Sequence, residues 1–209
     1  MTKIYAATAA VFIALLLGGL TYFVLVGQNQ DPFSRCRTGQ VTAGMGSIGG
    51  PFTLVNEDGQ AVTDKEVLKG PSLVYFGYTF CPDLCPVDNA RNAEAVDILA
   101  KHGIDVTPVF ITIDPKRDTP QVMRDFTENF SPKMIGLTGT LEQVDAAAKE
   151  YRVYHKIQDP TQKYYLIDHS TFTYLMLPGR GFVDFFRREE TPEQMADRVA
   201  CFVKASHGI

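Results

Sequence analysis

The chain has no surplus of positive charge: 20 lysines and arginines stand against 24 aspartates and glutamates, a formal net charge of -4 at pH 7. Nucleic-acid binding, which needs clustered cations to displace phosphate counterions, is excluded on that ground. Glycine (17) and proline (12) are too sparse for a collagenous or low-complexity chain, and 11% aromatic residues do not fit a disordered one. Four cysteines are too few for a disulfide-dense mini-protein, and no internal repeat points to a solenoid. The length of 209 residues leaves room for one ordinary domain and an appendage, and not for two large domains.

What is present is unevenly spread. From Ile4 to Val26 run 23 consecutive uncharged residues, with Lys3 before them and no basic residue after them until Arg35. A helix of that length spans roughly 34 Å, which predicts a single N-terminal transmembrane helix in preference to a buried core helix. A cleaved signal peptide is the closer rival, but its apolar region is usually 7 to 15 residues and ends at a small-residue cleavage site, where this chain reads GQNQDPF. The charge asymmetry predicts a single-pass protein of an inner membrane with its N-terminus cytoplasmic and its C-terminal domain periplasmic, where disulfides persist. The expected organisation is residues 1–27 as cytoplasmic N-terminus and anchor, 28–47 as tether, and 48–209 as the folded domain.

Within that domain, FTLV and AVT flank a turn at Asn56–Gly59 and predict a hairpin. SLVYFGYTF (72–80) and VTPVFITID (106–114) read as strands buried on both faces, and MIGLTG as a third short one. Helices are expected over 86–102, over 120–130 with Pro120 in the first turn, after Thr140 as N-cap, and from Thr191 to about Ser206. YYLI, TFTYLMLP and FVDFFRR are expected strands before that last helix. The alternation predicts an α/β fold around one mixed sheet.

The chemistry concentrates in CPDLCP, directly after the first buried strand. Cys81 and Cys85, four apart, fall on one face of a helical first turn roughly 6 Å apart. That spacing suits a disulfide and equally suits two sulfur ligands for one metal ion. A helix N-terminus favours the thiolate that either role needs, and the C-terminal end of a central strand is where α/β sheets bind ligands. An inert structural disulfide or two packed thiols is the bland alternative.

TFCPDLCP after SLVYFGY, then ITIDPKRDTP, then DHSTFTYL, in that order, resemble the Sco/SenC family of membrane-tethered copper proteins, over Ile48 to Phe202 and the N-terminal segment. The resemblance implies a thioredoxin-like fold, a central mixed sheet flanked by helices with an N-terminal hairpin. It implies copper ligation, as Cu(I) or Cu(II), by Cys81, Cys85 and the His169 of DHS, although zinc accepts the same donors. Asp83 and Asp168 are acidic neighbours that orient ligands, recognise a partner, or are merely solvated. Asp114 in IDPKRDTP matches a further family motif, against a simple turn-forming role. His102, His155 and His207 have no such support.

Cys36 and Cys201 lie outside these motifs; a disulfide between them would close a loop of about 165 residues, the alternative being two free thiols. The resemblance implies a copper metallochaperone that helps to assemble the dinuclear copper centre of cytochrome c oxidase subunit II. Its further partners would be another periplasmic copper chaperone or a thioredoxin-like reductant. The alternatives are a thiol-disulfide oxidoreductase working through Cys81 and Cys85, or a redox or copper sensor. As a metallochaperone it would not be an enzyme; as the reductase it would.

Overall fold

The computed structural model describes residues 2–27, 32–37 and 48–207, with side chains in the first segment described at residue 5 and over 11–23. Most of the expected tether (28–47) therefore lies outside the described residues.

Helix α1 covers Thr2–Gly27. The expected transmembrane helix is nonetheless corrected: among the described residues no helix is long and apolar enough to cross a membrane. The single-pass inner-membrane placement, cytoplasmic N-terminus and periplasmic domain rested on that helix and are corrected with it.

The α/β fold with a mixed sheet is as expected. Strands β1 (Thr53–Asn56) and β2 (Ala61–Thr63) form the hairpin. Its turn is held by the Asn56 side chain, which accepts from the amides of Asp58 (3.0 Å) and Gln60 (2.8 Å), and by Gly59 at φ 75°, a conformation that suits glycine. After the short helix α2 (Asp64–Val67) come β3 (Ser72–Gly77), α3 (Leu84–Lys101), β4 (Thr107–Thr112) and α4 (Pro120–Thr127). Strand β5 (Ile135–Thr138) leads to α5 (Leu141–Glu150), then β6 (His155–Ile157), β7 (Ile167–His169), β8 (Thr173–Leu177), β9 (Gly181–Phe186) and α6 (Pro192–His207). Thr140 caps α5 in a reciprocal box with Gln143, and Thr119 caps α4 ahead of Pro120.

The seven-stranded sheet has the order β2-β1-β5-β4-β3-β8-β9, and β6 and β7 pair separately. Strands β3, β4 and β5 are mutually parallel, whereas β1 joins β5, and β8 joins β3, antiparallel. All six residues of β3 are buried, which explains a strand sequence without alternation. On one face Leu73 and Leu175 pack with Val96 and Leu99 of α3 and with Val199 and Phe202 of α6. On the other, Val74, Ile111 and Leu137 pack with Met123 of α4 and Val144 of α5. A disulfide joins Cys36 to Cys201, with Cα atoms 5.6 Å apart, and beside it Phe33 meets Phe202 at 5.3 Å between ring centroids.

Candidate metal centre

The centre is built where β3 leaves the sheet. The last position of the strand, Gly77, admits nothing larger than glycine: a Cβ there would stand 2.8 Å from Cys85 Sγ, 2.9 Å from Tyr75 Cε1 and 3.0 Å from Phe110 Cε2. That absence of a side chain lets α3 approach the strand closely enough to lay Cys85 against it. Gly77→Ala is expected to cost about 1–3 kcal/mol, since all three neighbours are buried and cannot retreat. Thermal unfolding of the metal-free protein checks this; an unchanged midpoint would mean that the helix shifts freely.

The two cysteines do not share a helical turn, as their spacing suggested. Helix α3 begins at Leu84 after Asp83 as N-cap, so Cys85 is inside the first turn and Cys81 in the loop before it. The Cys81 sulfur lies across the helix mouth and accepts the otherwise unpartnered amide of Cys85 at 3.4 Å. Both side chains are buried, Cys85 completely, and both are unoxidised. A hydrogen bond from the Cys85 thiol, the neighbouring His169 and the amides of Cys85 and Asp83 together hold the Cys81 thiol far below its ordinary value, against the opposing effect of burial. The Cys85 thiol is pushed up, first by that same sharing with Cys81 and then by burial. Of the pair, Cys81 carries the thiolate.

His169 arrives on β7 at the end of the β6–β7 pair, opposite His155. Its Nδ1 lies 2.8 Å from the Ser170 carbonyl oxygen. A carbonyl only accepts, so Nδ1 holds the proton and the Nε2 lone pair is left for other use. Nε2 is 3.6 Å from Cys85 Sγ. The ring is wedged edge-on between Tyr78 (5.8 Å, 82°) and Tyr75 (6.3 Å, 89°). Burial pushes the Tyr78 phenol up to about 12, so it remains neutral, and its oxygen accepts the Ile167 amide at 3.3 Å. Both sulfurs and the imidazole nitrogen lie within 4.8 Å of one another, and among the described residues this is the only group of three or more such ligand side chains. Two soft sulfurs and one nitrogen suit a soft, low-coordinate ion such as Cu(I) and also accept zinc.

The IDPKRDTP segment ties the two halves of the centre together. Asp118 is fully buried and accepts from the Thr79 amide (3.0 Å), the Thr79 hydroxyl (2.6 Å) and the Thr112 hydroxyl (2.5 Å), which fixes the chain two residues before Cys81. Asp114 accepts from the Tyr165 hydroxyl at 2.8 Å and pairs with Arg117, whose Nη1 donates to the Tyr165 carbonyl at 3.0 Å. Tyr165 lies four residues before His169. The Arg117 guanidinium also lies over the rings of Tyr165 (3.8 Å) and Phe80 (4.9 Å). Asp114 thus acts through position and is not among the ligands.

The remaining candidates lie apart from the centre. The Asp83 side chain is exposed and makes no cap bond, so this residue serves the site through its backbone amide. Asp168 is exposed on β7 and accepts from Gln158 Nε2 at 2.7 Å. His102 is the exposed C-cap of α3, and His155 pairs with Asp145 at 3.3 Å. The His207 side chain lies outside the described residues. Gly77, Tyr75 and Tyr78 were missed; a glycine at the end of an apolar strand was the readable signal for the first.

Compared with known proteins, residues 40–204 match the SCO1/SenC family model. The chain is 55% identical over 204 residues to Protein SenC of Rhodobacter capsulatus, covering 98% of this chain and 91% of that protein. Among solved structures it resembles the Arabidopsis thaliana ScoI crystal structure with copper bound, at a TM-score of 0.72 and 40% identity over 78% of this chain and 99% of that one. Yeast Sco1 with copper bound is similar at a TM-score of 0.70 and 41% identity, covering 76% of this chain and 89% of the other.

Proposed function

Because the chain belongs to the SCO1/SenC family, we propose that it is a copper metallochaperone that acts in cytochrome c oxidase assembly, with the dinuclear centre of subunit II as the destination. The observation that carries this reading is the convergence of Cys81, Cys85 and His169 to within 4.8 Å. Ligand chemistry alone leaves zinc in play; the preference for copper is supported by family membership and by the copper bound in two solved relatives.

The residues suggest an order of events. Cys81, already the thiolate, makes first contact with the incoming ion. Cys85 follows as its proton leaves, and Nε2 of His169, kept free by the Nδ1 bond to Ser170, completes three-fold ligation. Release is the reverse, each thiolate of an acceptor displacing one protein ligand in turn. Oxidation of the pair by an external disulfide, which takes up the two electrons, releases the one proton held on Cys85, joins the sulfurs and leaves no thiolate to bind metal, so redox state governs loading. The low Cys81 thiol also supports the thiol-disulfide oxidoreductase as a second reading. Copper stoichiometry, by elemental analysis and absorption of the reduced full chain, tests the proposal: one copper per chain is expected, and none under reducing conditions would overturn it in favour of the oxidoreductase.

A further inference from the structure

Directly behind the metal ligands lies a buried polar pair with no part in that mechanism. Tyr75, in the middle of β3, is completely buried, and its hydroxyl donates to Asp88 Oδ2 at 3.0 Å. Asp88 follows Cys85 by three positions on α3 and is 1% exposed. Residues at that spacing share a helix face, so the carboxylate and the Cys85 sulfur are presented to β3 together. The Tyr75 ring and Cys85 Sγ crowd the same point, lying 2.9 and 2.8 Å from where a Gly77 Cβ would stand. The other side of the centre leans on the same ring, since His169 meets it edge-on at 6.3 Å.

Packing does not require either polar group. A phenylalanine at 75 would fill the core without a hydroxyl to satisfy, and a buried carboxylate is costly unless it is compensated. Asp88 is compensated by the Tyr75 phenol and by the field of Arg91. Arg91 is itself fixed by bonds to the Arg187 carbonyl (2.7 Å), Asn92 (3.1 Å) and Thr173 (3.1 Å). The arrangement is a brace reaching from Arg187, just after β9, and from β8 through α3 to β3, and it ends under the ligands.

We infer that Asp88 and Tyr75 are positioning residues for the metal ligands: Asp88 pins the phenol, and the pinned ring holds Cys85 and His169 at their 3.6 Å separation. The spectroscopic arm of the test rests on the copper reading above, whereas the alkylation arm needs no metal. The full chain is compared with Tyr75→Phe, Asp88→Leu and Asp88→Asn, the last keeping an oxygen that accepts the phenol proton. In the reduced, metal-free protein, iodoacetamide labelling of Cys85 relative to Cys81 is expected to rise about tenfold in Tyr75→Phe and Asp88→Leu, the effect of losing one hydrogen bond to a charged group. Asp88→Asn should stay within about twofold of the wild type, since its amide replaces that bond. In the copper-loaded protein the thiolate-to-Cu(II) absorption band should move in the first two variants and hold its position in the third. Lower melting temperatures with an unchanged labelling ratio and an unchanged band would make the pair merely structural and overturn the inference. If Asp88→Leu does not fold, Tyr75→Phe, which removes a single oxygen, carries both arms. Failure of the wild type to bind copper would count against the metallochaperone reading alone.

Discussion

Cys85→Ser is expected to abolish copper binding, whereas His169→Ala weakens it by at least about 100-fold while leaving the dithiol able to oxidise. Serine replaces the soft sulfur by a hard oxygen that stays protonated at neutral pH, so only one of the two soft donors remains beside the imidazole. Loss of the imidazole leaves both sulfurs in place, and the expected penalty exceeds the roughly 10–100-fold typical of losing only an outer partner of a ligand. Competition against a chromophoric Cu(I) chelator measures both variants. The same pair of variants separates the two functional readings. An oxidoreductase needs Cys81 and Cys85 and tolerates His169→Ala; a metallochaperone needs all three. Wild-type affinity in Cys85→Ser would dissolve the proposed centre, and wild-type affinity in His169→Ala would remove the histidine from it.

The reason these three residues meet lies in the topology. Strand β3 is parallel to β4 and antiparallel to β8, so the end of β3 that releases the cysteine loop borders the start of β8, directly after His169. The 84-position separation of Cys85 and His169 is spent on two further parallel strands with their helices and on the β6–β7 pair. Because those strands are bonded in register, Ser72 to Thr107 through Gly77 to Thr112, the IDPKRDTP loop falls beside the cysteine loop at the same end of the sheet. Asp118 and Asp114 are then within reach of Thr79 and Tyr165. The sheet therefore delivers both ligand loops and the strap that joins them to one edge.

Much of this was readable beforehand, and the exceptions have identifiable causes. The apolar runs that became β3, β4 and β8 are buried throughout or nearly so, and continuous hydrophobicity marks such strands well. Strand β3 nevertheless stops at Gly77 and not at Phe80, because Thr79 donates its amide and hydroxyl to Asp118 and is drawn out of the sheet. Strand β6 (HKI) was not foreseen, and YYLI contributes only Ile167 to β7. Three-residue strands have no period to detect, and Tyr164 is exposed and stacked on Phe80. The brace of Tyr75 and Asp88 was invisible for another reason: one reads as an ordinary core aromatic and the other as an ordinary helix-surface acid. Only their contact across elements shows otherwise.

Converting Cys36 and Cys201 to serine is expected to lower the stability of the domain by about 2–4 kcal/mol, within the chain-entropy ceiling of about 5 kcal/mol for so long a loop. The bond spans 165 residues, so its removal frees the unfolded chain far more than it disturbs the native contacts. Two features of the native state limit the loss. Phe33 and Phe202 remain in contact at 5.3 Å, and the α6 residues Met195, Val199 and Phe202 stay buried whether or not the bridge exists. The cost should therefore fall on the attachment of residues 32–37 and leave the copper centre alone, since Cys36 and Cys201 belong to the hydrophobic cluster on the face opposite α4 and α5. The double variant should melt about 5–15 °C lower, given roughly 2–4 °C per kcal/mol for a chain of this size, and should bind copper with unchanged stoichiometry. An unchanged melting temperature, or non-reducing peptide maps of the wild type without the Cys36–Cys201 cross-link, would show that the bridge contributes nothing. A loss of copper together with the bridge would instead mean that α6 transmits its position through α3 to Cys85.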